Sequence, residues 1–162
     1  PWPTGMAPGC FTQAAGLACW QGLLASCPGP LAAPWRAVVL KPVNDLYAVG
    51  DDGPGKLGGI LVETRLAPGG RGVAVVTGVG INLRRAPREV RGAKAPPLSL
   101  EELAANGVPE ADALAQRLAA GIHAAYARLL GDGLGAILRD WHRACSPEAW
   151  HEGRESTPGP DG

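Results

Sequence analysis

The sequence predicts a single α/β domain, more closely α+β, in which a mixed, largely antiparallel sheet is flanked by helices. Short β-branched runs joined by turn residues fill the first half of the chain, and helical apolar periodicity stands before and after them. A length of 162 residues at 46% hydrophobic composition supports one sizeable core and is short for two. The domain is expected over 10–145, with 146–162 a disordered, polar, Pro- and Gly-containing tail.

Residues 1–9 hold three prolines and two glycines without periodicity, which fits an irregular lead-in. Over 12–27, Ala15, Ala18, Cys19, Gly22 and Leu23 recur at three- and four-residue steps. That spacing predicts a small-residue helix able to lie close to a sheet, ended by Pro28 and Pro30. Strands follow at 36–40, 46–49, 57–66 and 73–77, with a hairpin turn at 51–55 and a tight connection at 68–70. Connections this short argue for an antiparallel meander.

Residues 84–97 are basic, contain prolines and lack apolar period, so a mobile surface loop is expected; Arg84, Arg85, Arg88 and Arg91 are candidates to touch phosphate, with a solvated loop face the favoured reading. Ser99 followed by Glu101 and Glu102 resembles a helix start. The clearest helix spans 109–130, with Leu114, Leu118, Ile122, Ala125 and Leu129 on one face, and Gly131 and Gly133 stop it. A last helix over 134–144 aligns Ile137, Leu138 and Trp141, and Trp141 and Tyr126 are read as core or interface residues.

Fifteen basic and fifteen acidic residues cancel, so no global field draws the chain to nucleic acid or to an anionic membrane. No apolar run approaches the roughly 18 to 20 residues a bilayer span needs, and no secretory signal order is present. A cytoplasmic protein is expected. Cys10, Cys19, Cys27 and Cys145 form no CxxC pair, and among apolar neighbours they read as small core residues in a reducing compartment. His123, His142 and His151 lie far in sequence from the glycine-rich segments and read as surface histidines; no metal set is expected from side chains alone.

Two glycine-rich segments invite comparison with phosphate-binding patterns. Residues 50–56 (GDDGPGK) have P-loop spacing, but Leu57 stands where Ser or Thr must hold magnesium, Asp51 and Asp52 oppose phosphate, and a strand-like run follows instead of a helix. Residues 78–82 (GVGIN) follow a strand as a dinucleotide fingerprint does, yet Leu83 replaces the third small residue and no helix comes next.

What remains is an ordered set: Asn44 and Asp45, a lone Lys56 before Gly58 and Gly59, and a turn at 78–82 ending on Asn82. The segments LKPVNDLYAVGDDGPGKLGGILVE and VAVVTGVGINL resemble the biotin protein ligases, whose catalytic domains carry KWPND, then K(L/V)(A/G)G(I/V)L(V/I)E, then G(I/V)G(I/L)N. The likeness extends from about Ala14 to Trp141.

The resemblance implies a class II synthetase-like biotin/lipoate ligase fold and an enzyme that joins biotin to AMP from ATP, then passes biotin to a lysine of a biotin carboxyl carrier domain, such as that of acetyl-CoA carboxylase. ATP, biotin and Mg²⁺ are the implied cofactors, and a homodimer is compatible with it. Lys56 matches the catalytic lysine. At about 4 Å and an effective dielectric of about 20, a lysine and a phosphate charge attract by roughly 4 kcal/mol. Gly58 and Gly59 match the backbone that lies against the ligand, with Ile60 and Leu61 continuing an apolar wall. Asn82, set by a turn at Gly78 and Gly80, matches the asparagine that meets adenine, and Asn44 and Asp45 match the pair near the adenylate and metal.

The tryptophan of KWPND has no counterpart, and the proline sits one position early. Nothing over 1–27 matches the family's upstream GRGRxGR-type loop, and no strand pattern for its small C-terminal barrel follows Trp141, so an N-terminally truncated catalytic portion is expected. Two alternatives stand beside this reading: a lipoate ligase relative, and a non-catalytic remnant that binds ligand or partner only.

Overall fold

A computed structural model describes residues 7–27, 29–66, 72–87 and 89–145. Pro28, the 68–70 connection, Arg88 and the 146–162 tail lie outside the described residues, as does most of the 1–9 lead-in. The elements run α1 (Gly9–Ser26), β1 (Trp35–Lys41), β2 (Asp45–Gly50), β3 (Gly53–Leu66), β4 (Val73–Ile81), α2 (Leu100–Leu103), α3 (Ala111–Asp132) and α4 (Leu134–Ala144). The architecture is α+β: one four-stranded sheet in the order β1-β2-β3-β4, antiparallel at every step, with the helices gathered on one face. The expected mixed character reduces, among the described residues, to a single parallel bridge between Lys56 and Pro97.

The first helix begins at Gly9, earlier than residue 12, and is buried on more than one side, with Cys10, Phe11, Ala14, Ala15, Leu17, Cys19 and Leu23 all in the core. Such a helix must lie between layers, and α1 packs on β1, β2 and β3 on one side and on α3 and α4 on the other. Small residues set its distance from both. A Cβ on Gly16 would rest 3.6 Å from the Leu40 side chain, and one on Gly22 would press to 2.7 Å on Leu118. Trp20 donates its indole N–H to the Val38 carbonyl at 2.7 Å, pinning helix to sheet.

Alternation then sorts the strands. Val38, Leu40, Leu46, Ala48, Leu57 and Ile60 join the helical core, while Val39, Tyr47 and Val49 form a second cluster with Ala95 on the opposite face. Within β3 the phase slips. Leu46 pairs with Gly58 and Tyr47 with Lys56, so Leu57 is the extra residue of a β-bulge and both Leu57 and Gly58 are buried. Lys56 and Gly59 are thereby left on the outer face.

The hairpin turn expected over 51–55 is tighter: Gly50 pairs with Gly53, leaving only Asp51 and Asp52 at the tip, with Gly53 at φ 100°. The last strand runs on through the segment expected as a turn. Its burial alternates residue by residue from Val73 to Ile81, and Gly78 and Gly80 pair with Leu61 and Gly59. Neither glycine has a positive φ, so the GVGIN segment is strand whose outward residues happen to be glycines.

The stretch over 84–97, expected as a free surface loop, is tied down at its end. Ala95 is 8% exposed, the Lys56 N–H donates to the Pro96 carbonyl at 2.8 Å, and the Leu98 N–H donates to the Lys56 carbonyl at 2.8 Å. The Ser99 start is a full capping box with Glu102. Beyond it, α3 buries Leu114, Leu118 and Leu129, and Gly133 at φ 80° separates it from α4. Arg128 clasps the two helices through Asp140 at 3.0 Å and the Ala136 carbonyl at 2.8 Å. No helix among the described residues is long and apolar enough to cross a membrane.

Candidate functional site

One transverse row of the sheet builds the outer face into a depression. Lys41 pairs with Asp45, Asp45 with Gly59, and Gly59 with Gly80, so the row reads cation, carboxylate, glycine, glycine across all four strands. Two neighbouring strands, β3 and β4, therefore present no side chain where the other two, β1 and β2, present charges. Pro87 and the segment over 90–97 close over this floor, leaving a cleft of about 640 Å³. That volume suits a small-molecule ligand.

The two floor glycines differ from their neighbour Gly58. A Cβ on Gly58 would overlap the Gly80 carbonyl oxygen and crowd the Ile81 side chain, so Gly58 is required by strand packing. A Cβ on Gly80 would meet nothing within 4 Å, and one on Gly59 would reach 3.1 Å from the Asp45 carboxylate. Glycine in a strand interior costs roughly 0.5–1 kcal/mol against alanine. At Gly80 no intramolecular contact repays that cost; the residue keeps the floor open.

Lys56 stands beside this floor with Nζ 2.7 Å from Asp45 Oδ1, the pair partly exposed at 39% and 21%. An ammonium has three donor hydrogens, so Asp45 orients Lys56 while leaving it capacity for a second anion. Tyr47 adjoins the pair. Burial pushes its phenol up, Asp45 adds to the rise and Lys56 opposes it, so it is a neutral donor at ordinary pH.

Of the sequence-predicted residues, Asp45, Lys56, Gly58, Gly59, Gly80 and Asn82 all line the cleft. Three others do not. Asn44 turns its amide to the Ile60 carbonyl at 2.6 Å and accepts the Ile60 N–H on its own carbonyl at 2.8 Å, clamping the β1–β2 hairpin to β3. Ile60 is 1% exposed and belongs to the helical core, because the bulge turns it inward; Leu61 is the neighbour on the outer face, 63% exposed. Gly78 lies on the outer face beyond the cleft lining.

Asn82 has structural work as well. Its side-chain nitrogen donates to Leu98 O at 3.1 Å and to Lys56 O at 3.3 Å, and its carbonyl accepts the Leu100 N–H at 2.7 Å. With both amide hydrogens engaged in fastening β4, β3 and the segment before α2, a ligand is left its amide oxygen.

Sequence reasoning missed Lys41, Tyr47 and Lys94 as cleft residues, and for Arg91 it favoured a solvated face over the phosphate contact it also weighed. Arg91 and Lys94 belong to the basic segment assigned to solvent; the signal that could have found them is the Ala95–Leu98 run, whose apolar ends demand an anchor and so bring the preceding cations back to the sheet. Among the described residues, four basic side chains thus line the cleft against one carboxylate, Asp45. A ligand with several negative charges is the chemistry that balances it. No family model matches the chain, and no curated protein matches it.

Proposed function

We propose that the chain is the adenylate-forming core of a biotin protein ligase. The observation that carries this reading is the cleft in which Lys56, fixed by Asp45, stands over the side-chain-free floor of Gly59 and Gly80. Residues chosen from three separate motifs of the sequence resemblance meet there, and the excess of cations suits a reaction between anions.

In the proposed reaction a biotin carboxylate oxygen attacks the α-phosphorus of ATP. A new P–O bond forms, the bond to the β-phosphate oxygen breaks, and pyrophosphate leaves with its electrons. A lysine amine of a biotin carboxyl carrier domain then attacks the acyl carbon of biotinyl-adenylate, releasing AMP and a proton. Bringing carboxylate and phosphate together is the electrostatic obstacle, and a prepositioned cation is the remedy. Lys56 is assigned that role. Gly59 and Gly80 let the backbone approach the acyl and phosphoryl groups.

Among the described residues no group of three metal-ligating side chains occurs, and Asp45 is the sole carboxylate lining the cleft. That donor set fits an ion such as Mg²⁺ that arrives on nucleotide phosphates and takes one protein carboxylate. Bound there, it would neutralise charge on the departing pyrophosphate.

The test is direct detection of the intermediate. Incubated with biotin, ATP and Mg²⁺, the purified chain yields biotinyl-adenylate by mass spectrometry; a product formed with lipoate in its place would move the reading to the lipoate ligases, and no adduct with either acid would overturn it.

A further inference from the structure

Among the described residues β4 pairs with β3 and with no other strand, so it ends the sheet on an open edge. Soluble sheets guard such an edge with lysine, proline or a bulge. The sequence of β4, VAVVTGVGI, has neither charge nor proline, and its register against β3 is unbroken from Val73 to Ile81. The Asn82 N–H donates to the Leu57 carbonyl of β3 at 2.9 Å, which sets the alternation of the ladder. By that alternation Val73, Val75, Thr77, Val79 and Ile81 turn their backbone N–H and C=O groups to the open side.

The inner face is open beside the same edge. Helix α3 packs on α1 and reaches β4 through the Thr77 hydroxyl, 2.6 Å from the Tyr126 hydroxyl. Between them lies an apolar groove of about 540 Å³, with Val75, Val79 and Ile81 half-buried on one wall and Leu114, Leu118 and Ile122 on the other. Ala111, Ala115 and Ala119, exposed on α3 along this groove, are small and leave room for a neighbouring helix.

The strand is complementary to itself. Thr77 is its midpoint and carries open backbone groups, so a two-fold axis there sets Thr77 against the partner's Thr77, Val75 against the partner's Val79 and Val73 against the partner's Ile81. Between these bonded pairs, where side chains approach most closely, Val76 falls opposite the partner's Gly78 and Ala74 opposite the partner's Gly80. Val76 is 63% exposed, a Cβ on Gly80 would meet nothing, and one on Gly78 would come only within 4.0 Å of the Leu61 carbonyl oxygen. Each exposed outer side chain therefore faces a vacant place. A strand of another protein would have to bring this pattern; a second copy already has it.

We propose that β4 pairs antiparallel with β4 of a second copy about a two-fold axis at Thr77, joining the two sheets into one. The proposal goes beyond the adenylate-forming reading and does not depend on the ligand. It sets the partner's Ala74 beside Gly80, so the cleft floor borders the interface.

The experiment is sedimentation velocity of the full chain under reducing conditions across a concentration series, with Val76→Lys and, as a control on the far side of the sheet, the exposed Val43→Lys. The parent chain and Val43→Lys are expected to dimerise alike, and Val76→Lys to weaken the dimer by at least about tenfold. Register is read separately, so a variant that fails to fold decides nothing alone. An oxidised mixture of Val76→Cys and Gly78→Cys chains should give a disulfide-linked dimer that neither gives alone above the background of the parent chain, which has four free cysteines of its own. A parent chain that is monomeric throughout, a dimer as tight in Val76→Lys as in the parent, or a mixture that links no more than its separate components would each overturn the proposal.

Discussion

Gly58 and Gly80 are both strand glycines of one β3–β4 ladder, yet the structure predicts opposite consequences for filling them. A valine at Gly80 enters open space, gains the strand preference that glycine lacks, and is expected to stabilise the fold by about 0.5–1.5 kcal/mol. It also places a branched side chain on the cleft floor opposite Gly59, and should weaken pyrophosphate or ATP binding by at least about tenfold, near 1.4 kcal/mol. Gly58→Ala drives its new methyl into the Gly80 carbonyl, a backbone atom that can yield only if the strands part. Overpacking of that kind costs about 1–3 kcal/mol. Urea denaturation of both variants, with nucleotide titration of Gly80→Val, reads all three quantities. A destabilised Gly80→Val, or one that is stable and binds as tightly as the parent chain, would refute the argument that this glycine exists to keep the floor open.

Further outcomes follow from single contacts. Ser99→Ala removes a buried capping box in which the hydroxyl donates to Glu102 Oε2 and accepts the Glu102 N–H, and should cost about 1–2 kcal/mol by urea denaturation; a change under a few tenths would deny the cap its role. Asp45→Asn removes the carboxylate that faces Lys56, so metal-free pyrophosphate should bind severalfold more tightly at low salt while stability changes little, the pair being partly exposed; weaker binding would place Asp45 in direct support of the anion. Burial pushes the Cys19 thiol up to about 12 and the Cys145 thiol up to about 11, from 9.0. The folded state favours the neutral thiol, so this contribution is fully present below pH 9 and is lost as pH rises through 11 and 12. Thermal melts from pH 8 to 11.5 should show that decline, reduced in Cys19→Ala relative to the parent chain; a flat profile would contradict it.

Much of the architecture was legible because its strands are local runs. The β-branched residues at 36–40, 46–49 and 73–77 mark strands whatever their partners, and the short connections leave little choice but an antiparallel meander. The bulge at Leu57 was not legible, because it depends on which residue of β2 stands opposite. It is also what sends Ile60 to the core and Leu61 to solvent, reversing the expectation for Ile60 as part of the ligand wall. The extension of β4 through Gly78 and Gly80 was hidden by residues that ordinarily punctuate strands.

For the site, Lys56, Asp45, Gly59, Gly80 and Asn82 converge on one cleft as selected from the motifs, whereas Asn44 and Gly78 stand outside its lining. Of the basic segment, sequence reasoning weighs Arg91 as a phosphate contact but favours a solvated face, and it does not single out Lys94. Arg91 and Lys94 look like any charged loop until Ala95 and Leu98 are seen to anchor it beside Lys56.

The central claim is that a carboxylic acid is activated over Lys56, and it is tested most directly by pyrophosphate release from ATP and Mg²⁺ by the purified chain, with biotin, with lipoate and with no acid, in the parent chain and in Lys56→Ala. The account predicts release that requires biotin and falls by at least about a hundredfold in the variant, a loss of about 2.7 kcal/mol of transition-state stabilisation. Release that ignores the acid present, or that persists undiminished without Lys56, would contradict it.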